Sequence, residues 1–310
     1  MLRVGLVGVG GWGKNHARVL SEIGALACVC DVDSAKAEEY GKKYNVPYYT
    51  SVDDMVSREK ISVAHVCTPT TTHYKVSKKL LEAGLHVFIE KPIAASVKEG
   101  TEIAELAEKM KRLVGVGYIE RFNPAVIHLK KIITQREVGD LLVAEFYREN
   151  RWAGVKDVGI LLDTSVHDID TARYIFSEEP YQVFCRTGKV IEPHDDFAVM
   201  MLSFKRSRTA ILVTNWVTPK KERRLSAILT QGVVRLDFVT REVKVDTDSG
   251  SATYQHQSEE PLKLEISSFI EAVESGKKPA VDARDAIKTS AIAEAAAYSS
   301  RKGMPVNLEL

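Results

Sequence analysis

RVGLVGVGGWG, residues 3–13, is an apolar run that breaks into glycines and leads straight into KNHARVL. Val4, Leu6 and Val7 predict a buried strand, Gly8 to Gly13 a tight turn, and residues 14–20 a helix. In such a turn the first glycine (Gly8) allows the sharp bend. The second (Gly10) lets backbone approach a pyrophosphate, and the third (Gly13) lets helix and strand pack closely. The helix N-terminus behind Gly11 and Trp12 offers unpaired N–H groups and partial positive charge to phosphates. A glycine turn alone is weak, so the next residues decide. Gly24 stops the helix, LACVC at 26–30 reads as a second buried strand, and Asp31 ends it, 18 residues after Gly13. An acidic side chain there hydrogen-bonds an adenosine ribose 2′-OH and repels a 2′-phosphate. The reading is therefore NAD rather than NADP, with Lys36, Lys42 and Lys43 as the nearby cations that keep NADP open.

Alternation of strands and helices continues outward from this turn. Helices are expected over SAKAEEYGKKY, SVDDMVSR, KVSKKLLEA and a segment opened by a capping box at Ser96–Glu99, and strands over VAHVC, HVFIE and LVGVGYI. Such alternation over residues 1 to about 118 implies an α/β domain with a doubly wound parallel sheet. Ligands of these sheets bind beyond the strand C-termini, which singles out Gly8–Gly13, Asp31, Thr68 and Pro69, Glu90 to Pro92, and Tyr118 to Asn123. From 119 onward the pattern changes. A helix over NPAVIHLKKIITQREVG, a strand from Leu141, a helix over DTSVHDIDTARYIF and then six strands predict an α+β domain with a mostly antiparallel sheet, one face open. Two helices close the chain, the last over about 282–302, alanine-rich and suited to packing against the dinucleotide domain.

A length of 310 residues favours two domains. The net charge of +1 gives no field for nucleic acid or an anionic membrane. No apolar run reaches the ~18 residues of a membrane span, and the first strand starts at once, leaving no room for a leader, so a cytoplasmic protein is expected. Cys28, Cys30, Cys67 and Cys185 lack the spacing of a tetrahedral metal site and read as small buried hydrophobes. His167, Asp168 and Asp170, and the second group His194, Asp195 and Asp196, have no diagnostic metal-ligand spacing either. No metal is expected, and the second group reads as a solvated loop.

The GVGGWG turn, TPTTTHYKVSKKLLEAGLHVFIEKP (residues 68–92), RFNP, DTSVHDID and the closing AAAYSSRKGMPV together resemble the glucose-fructose oxidoreductase, inositol dehydrogenase and MocA family over nearly the whole length. The resemblance implies an N-terminal Rossmann domain (1–118), a C-terminal open-faced sheet domain (119–310) for substrate and oligomerisation, a homodimer or homotetramer, and NAD(P)-dependent oxidation of sugars or polyols. An open sheet would otherwise expose apolar surface, which points the same way on oligomers. Around the cofactor it sets Gly8, Gly10, Gly11, Trp12, Gly13, Asp31, Thr68, Pro69, His73, Glu90 and Lys91. Lys91 corresponds to the family's Glu-Lys-Pro lysine, at a strand end where an ammonium can hold and polarise a substrate oxygen.

Asp163 and His167, four apart and so on one face of a helix, match the family's Asp-x3-His motif. A neutral imidazole suits removal of a hydroxyl proton near pH 7. His167 is thus read as the base, Asp163 as its orienter or a substrate ligand, and Lys91 as the electrostatic partner, with the roles of His167 and Lys91 exchangeable. The family often has glycines and Gly-Val-His before this histidine. Here the run is Ile160 to His167, ILLDTSVH, which changes the local loop.

Tyr118, Arg121, Asn123, Arg151 and Trp152, together with Asp163 and His167, are the substrate candidates, the arginines for phosphate or carboxylate and the tryptophan for stacking. Lys220, Lys221, Arg223 and Arg224 read as a solvated hairpin tip. GYIERFNPAV looks like the branch acting on nucleotide sugars, so the expected reaction is oxidation of UDP-N-acetylglucosamine at its 3-position. The alternatives are a free polyol or sugar dehydrogenase, an NAD-dependent glycosidase without net redox change, and a non-catalytic cofactor sensor.

Overall fold

The computed structural model describes residues 2–151, 157–191, 193–256 and 260–310. The chain forms two compact units, residues 1–117 with 262–287, and 118–261 with 288–310.

In the first unit six strands, β1 (Val4–Val7), β2 (Leu26–Cys30), β3 (Tyr48–Tyr49), β4 (Val63–Val66), β5 (His86–Glu90) and β6 (Val114–Gly117), pair in parallel in the order β3-β2-β1-β4-β5-β6. Every residue of β1 and β4 is buried, as a sheet covered on both faces requires. The connecting helices are α1 (Gly13–Glu22), α2 (Ser34–Tyr44), α3 (Val52–Arg58), α4 (Thr70–Glu82) and α5 (Val97–Met110). Side chains start three of them: Asp33 caps α2, Ser51 caps α3, and the Ser96 hydroxyl accepts from the Glu99 N–H to cap α5. The strand order reverses between β1 and β4, and the loops after these two strands flank that point.

The second unit is built on nine strands: β7 (Leu141–Glu149), β8 (Gln182–Gly188), β9 (Phe197–Phe204), β10 (Arg208–Asn215), β11 (Glu222–Leu229), β12 (Gly232–Asp237), β13 (Glu242–Thr247), β14 (Gly250–Gln255) and β15 (Val306–Asn307). Their order is β14-β13-β12-β11-β7-β10-β9-β8-β15, and only the β7–β10 pairing is parallel. The α6 helix (Pro124–Gln135) packs on β12 and β13, and the α7 helix (Val166–Phe176) on β7 and β10. Ala144 and Phe146 of β7, Ala210 and Leu212 of β10, and Leu225 and Ala227 of β11 form the buried face. On the opposite face Val199 and Met201 stand 47% and 40% exposed.

The expected parallel doubly wound sheet and mostly antiparallel second sheet are what form. Two strands had no sequence signal: β14, every residue of which is exposed, and the two-residue β15. The helix expected from Asp163 begins differently. Leu161–Ser165 is a π turn, and α-helical geometry starts only at Val166.

Candidate active site

The glycine turn is set by close approach. Gly8 has φ +88°, and a Cβ there would stand 2.7 Å from the Cys67 carbonyl oxygen. At Gly13 a Cβ would meet the Gly8 carbonyl oxygen at 2.0 Å. Gly10 and Gly11, between them, face nothing within 4 Å. Two glycines thus hold the turn against the sheet and two leave room above it. Trp12 precedes the first turn of α1 without capping it, so the helix N–H groups there have no side-chain acceptor. The Asp31 carboxylate accepts from the Val9 N–H at 2.9 Å and the Asp33 N–H at 3.0 Å, tying the end of β2 to the turn. Room above the turn, an uncapped helix start and an acidic strand end fit a dinucleotide, and Gly8–Gly13 with Asp31 are the residues that would hold one.

The next two strand ends are fastened by histidines. After β4, Thr68 accepts from the Thr72 hydroxyl at 2.8 Å, and Pro69 is exposed. His73, buried in the first turn of α4, has Nδ1 2.8 Å from the Pro92 carbonyl and Nε2 2.9 Å from the Thr68 carbonyl, clamping the two loops together. Carbonyl oxygens have no proton to give, so each of these bonds needs a donating ring nitrogen. At the end of β5 the Glu90 carboxylate meets His16 Nε2 of α1 at 2.7 Å and accepts from the Lys91 N–H at 3.2 Å. His16 Nδ1 lies 3.1 Å from His65 Nδ1, and the His65 ring stacks on Phe88. Burial, and then the neighbouring His16, hold His65 well below the ordinary histidine range. The Lys91–Pro92 peptide is cis. His16 and His65 escaped the sequence reading. Their signal was a polar residue on the buried face of a helix and inside an apolar strand.

In the second unit Asp163 lies in the π turn and His167 in the first turn of α7. Trp216 Nε1 donates to Thr164 Oγ1 at 2.8 Å, and that hydroxyl donates to Asp163 Oδ2 at 2.9 Å, fixing the carboxylate. Next to them is a buried charge cluster. Arg148, on the helix-facing side of β7, donates to Asp168 Oδ1 at 2.9 Å and Glu120 Oε1 at 3.1 Å, with its guanidinium over the Phe238 ring. These two carboxylates raise the arginine's pKa further, against its burial, whereas burial raises that of Asp168 against the pull of Arg148. Glu120 lies in the stretch 118–123 singled out beyond a strand end and Asp168 was weighed only as a metal ligand, but neither was assigned a charge partner, and Arg148 was given no role although it continues the inward alternation of Ala144 and Phe146.

Of the substrate candidates, Tyr118 is buried, and burial pushes its phenol well above the ordinary range. Arg121 grips Asp170 through both forks, at 2.8 and 2.6 Å. The Asn123 side chain accepts from the Ala125 N–H to cap α6 and donates to Glu120 and to the Phe238 carbonyl. Arg151 is exposed, and Trp152 falls outside the described residues.

Two expectations are corrected. Residues 220–224 are not a solvated tip throughout. β11 begins at Glu222, and its alternation turns Arg223 to the buried side with Leu225 and Ala227, while Arg224 points outward over Tyr147. Nor is the loop at 194–196 wholly solvated, because Asp196 is fully buried and accepts from the Val190 and Ile191 N–H groups. The four cysteines are free; Cys28, Cys30 and Cys185 are buried, with burial raising each of these three thiols to about 12. Among the described residues no three His, Cys, Asp or Glu side chains gather as metal ligands, and no helix is long and apolar enough to cross a membrane.

Comparison with known proteins agrees with this layout. Residues 2–118 match the oxidoreductase family, NAD-binding Rossmann fold, and residues 126–235 match the GFO/IDH/MocA C-terminal domain. The scyllo-inositol 2-dehydrogenase (NAD(+)) of Bacillus subtilis is 27% identical, over 100% of this chain and 97% of that one. The UDP-N-acetylglucosamine 3-dehydrogenase of Acidithiobacillus ferrooxidans is 25% identical over 79% of this chain and 76% of its own. A solved structure of that enzyme superposes with a TM-score of 0.89, covering 97% of this chain and 98% of the other at 22% identity, a likeness of fold. With both of its domains matched in order, the chain belongs to the Gfo/Idh/MocA family of NAD-binding oxidoreductases.

Proposed function

We propose that this protein is an NAD-dependent dehydrogenase that oxidises a carbinol of a sugar, with a nucleotide sugar of the UDP-N-acetylglucosamine type, oxidised at its 3-position, as substrate. The observation that carries the reading is Asp163, fixed by Thr164 and Trp216 one turn ahead of His167. A relay of two hydrogen bonds, Trp216 to Thr164 and Thr164 to Asp163, holds the carboxylate in place there.

In this reading Lys91 holds the substrate oxygen and stabilises negative charge growing on it. His167 takes the hydroxyl proton as the carbonyl forms, and Asp163 orients His167 or a neighbouring substrate hydroxyl. Bound nicotinamide supplies the acceptor for the hydride that leaves the same carbon. Asp31 favours NAD by offering the ribose a carboxylate that a 2′-phosphate would meet with repulsion. Glu90 supports the Lys91 backbone, and Thr68, Pro69 and His73 shape the loop beside it. The half-exposed Val199 and Met201 on the open sheet face favour a homo-oligomer, and use of a soluble NAD pool favours the cytoplasm.

A second reading, oxidation of a free polyol, is supported by the inositol dehydrogenase relative that spans the whole chain. One assay separates the two: NADH formation by the purified protein with UDP-N-acetylglucosamine, its uronate, free hexoses and inositols, with released sugar measured in parallel. NADH with the nucleotide sugars alone is the expected result. NADH with inositols alone replaces the substrate, and sugar release without NADH overturns the dehydrogenase.

A further inference from the structure

One row of inward-facing residues runs across three strands at the end of the second sheet: Thr214 on β10, Arg148 on β7 and Arg223 on β11, each the register partner of the next. Two guanidinium side chains therefore sit side by side on the face that α7 covers. Their surroundings differ. Arg148 takes both nearby carboxylates, Glu120 and Asp168. Among the described residues none forms an ion pair with Arg223 or with the exposed Lys221, just before the start of β11. Arg223 Nε is enclosed and has no hydrogen-bond partner. Burying a guanidinium donor without an acceptor is destabilising, a cost that an apolar residue at this position would avoid.

We propose that Arg223, with Lys221, forms the recognition site for an anionic group of the substrate, a phosphate or a carboxylate, next to Asp163 and His167. The charges bear on one another as this requires. Lys221 is held below the ordinary lysine range chiefly by the charge of Arg223, and Arg223 is lowered first by burial and then by Arg148. Glu120, Asp168 and then Asp163 are close enough to pull Arg223 the other way, although none of the three forms an ion pair with it. An oxyanion bound there relieves the repulsion between the cations and gives Arg223 Nε its acceptor, and a planar fork suits phosphate or carboxylate bidentately. A neutral polyol does neither. This deepens the proposed function and rests on its placing substrate at His167, but it can fail separately.

The test uses the full-length protein saturated with NAD and titrated calorimetrically with UDP, with glucuronate and with myo-inositol, as wild type and as Arg223→Met, Arg223→Lys, Lys221→Met and Arg224→Gln. The expected result is binding of UDP or glucuronate, weakened at least tenfold by Arg223→Met, less by Arg223→Lys, at least threefold by Lys221→Met, and not by Arg224→Gln on the outer face. UDP binding identifies a diphosphate, and glucuronate binding without UDP a carboxylate. If Arg223→Met does not fold, the exposed Lys221 gives the same reading. Binding of myo-inositol alone, or anion affinity equal in wild type, Arg223→Met and Lys221→Met, overturns the inference even if NADH is formed. Arg223-dependent binding of UDP by a protein that makes no NADH from any sugar keeps the anion site and overturns the dehydrogenase.

Discussion

In the first unit the proposed dinucleotide cradle is made of backbone: Gly8 and Gly13 pack the turn against the sheet, Gly10 and Gly11 leave room above it, and the Asp31 carboxylate ties it to the end of β2. At the end of the second unit's sheet the reverse holds. There the groups proposed to meet substrate are side chains, Arg223, Asp163 and His167, carried on a strand, a π turn and a helix. A backbone site is specified by what is missing, so it is compact in sequence and rejects additions. A side-chain site is specified by which charges are already paired, so it gathers residues from distant positions and is tuned by substitution. One cradle can then serve many substrates while the sheet end changes.

Substitutions that touch each kind of site test this contrast. The largest effects are expected from His167→Ala and Lys91→Ala, each lowering turnover by about 10²–10⁴-fold with NAD affinity within about twofold by fluorescence titration. Turnover near wild type in both would remove the assigned chemistry. Next come two glycines of the cradle with opposite outcomes. Gly13→Ala forces a methyl to 2.0 Å from the Gly8 carbonyl and is expected to destabilise the fold by about 1–3 kcal/mol in urea melts. Gly10→Ala meets no protein atom, so its melting temperature is expected to hold while the Kd for NAD rises about tenfold, the added methyl standing where the pyrophosphate would lie. Equal destabilisation by the two would break the distinction between the glycines that pack and the glycines that make room.

The smallest effect concerns pH. His65 is buried neutral with its pKa below the unfolded value of about 6.5, so below that pH the unfolded chain binds a proton that the folded chain refuses. Stability contributed by this residue is complete above pH 6.5 and falls as pH drops, by up to about 1.4 kcal/mol per unit. Melts of wild type and His65→Leu between pH 8 and 5 are expected to differ in slope, with the variant flatter. Parallel slopes would place the acid sensitivity elsewhere.

The cradle was legible because every element of it lies within residues 4–31 and obeys local rules: an apolar run, glycines at fixed spacing, a strand end in aspartate. The same holds for the six parallel strands, whose runs are continuous because both faces are covered. The charge cluster was not legible. Glu120, Arg148, Asp168 and Arg223 are far apart in sequence, and which arginine satisfies which carboxylate depends on strand register. Arg223 in particular follows three charged neighbours, Lys220, Lys221 and Glu222, that read as solvent-facing, and only the alternation of Leu225, Ala227 and Leu229 behind it points inward. The π turn before α7 was equally hidden, because local periodicity does not distinguish one extra residue in a turn from a helix start. β14 lacks any apolar face, so nothing in its composition separated it from a loop.

The carboxylate at the end of β2 has two duties at once. One Asp31 oxygen accepts from the Val9 N–H inside the glycine turn and the other from the Asp33 N–H that begins the next helix. On the NAD-specific reading proposed above, preference between the two nicotinamide cofactors and the shape of the loop that cradles them are a single inherited trait in this chain. Replacing Asp31 to admit a 2′-phosphate also unties Val9, so a change of cofactor here calls for a compensating acceptor for that amide, and a sequence that drifts toward NADP is expected to acquire the two changes together.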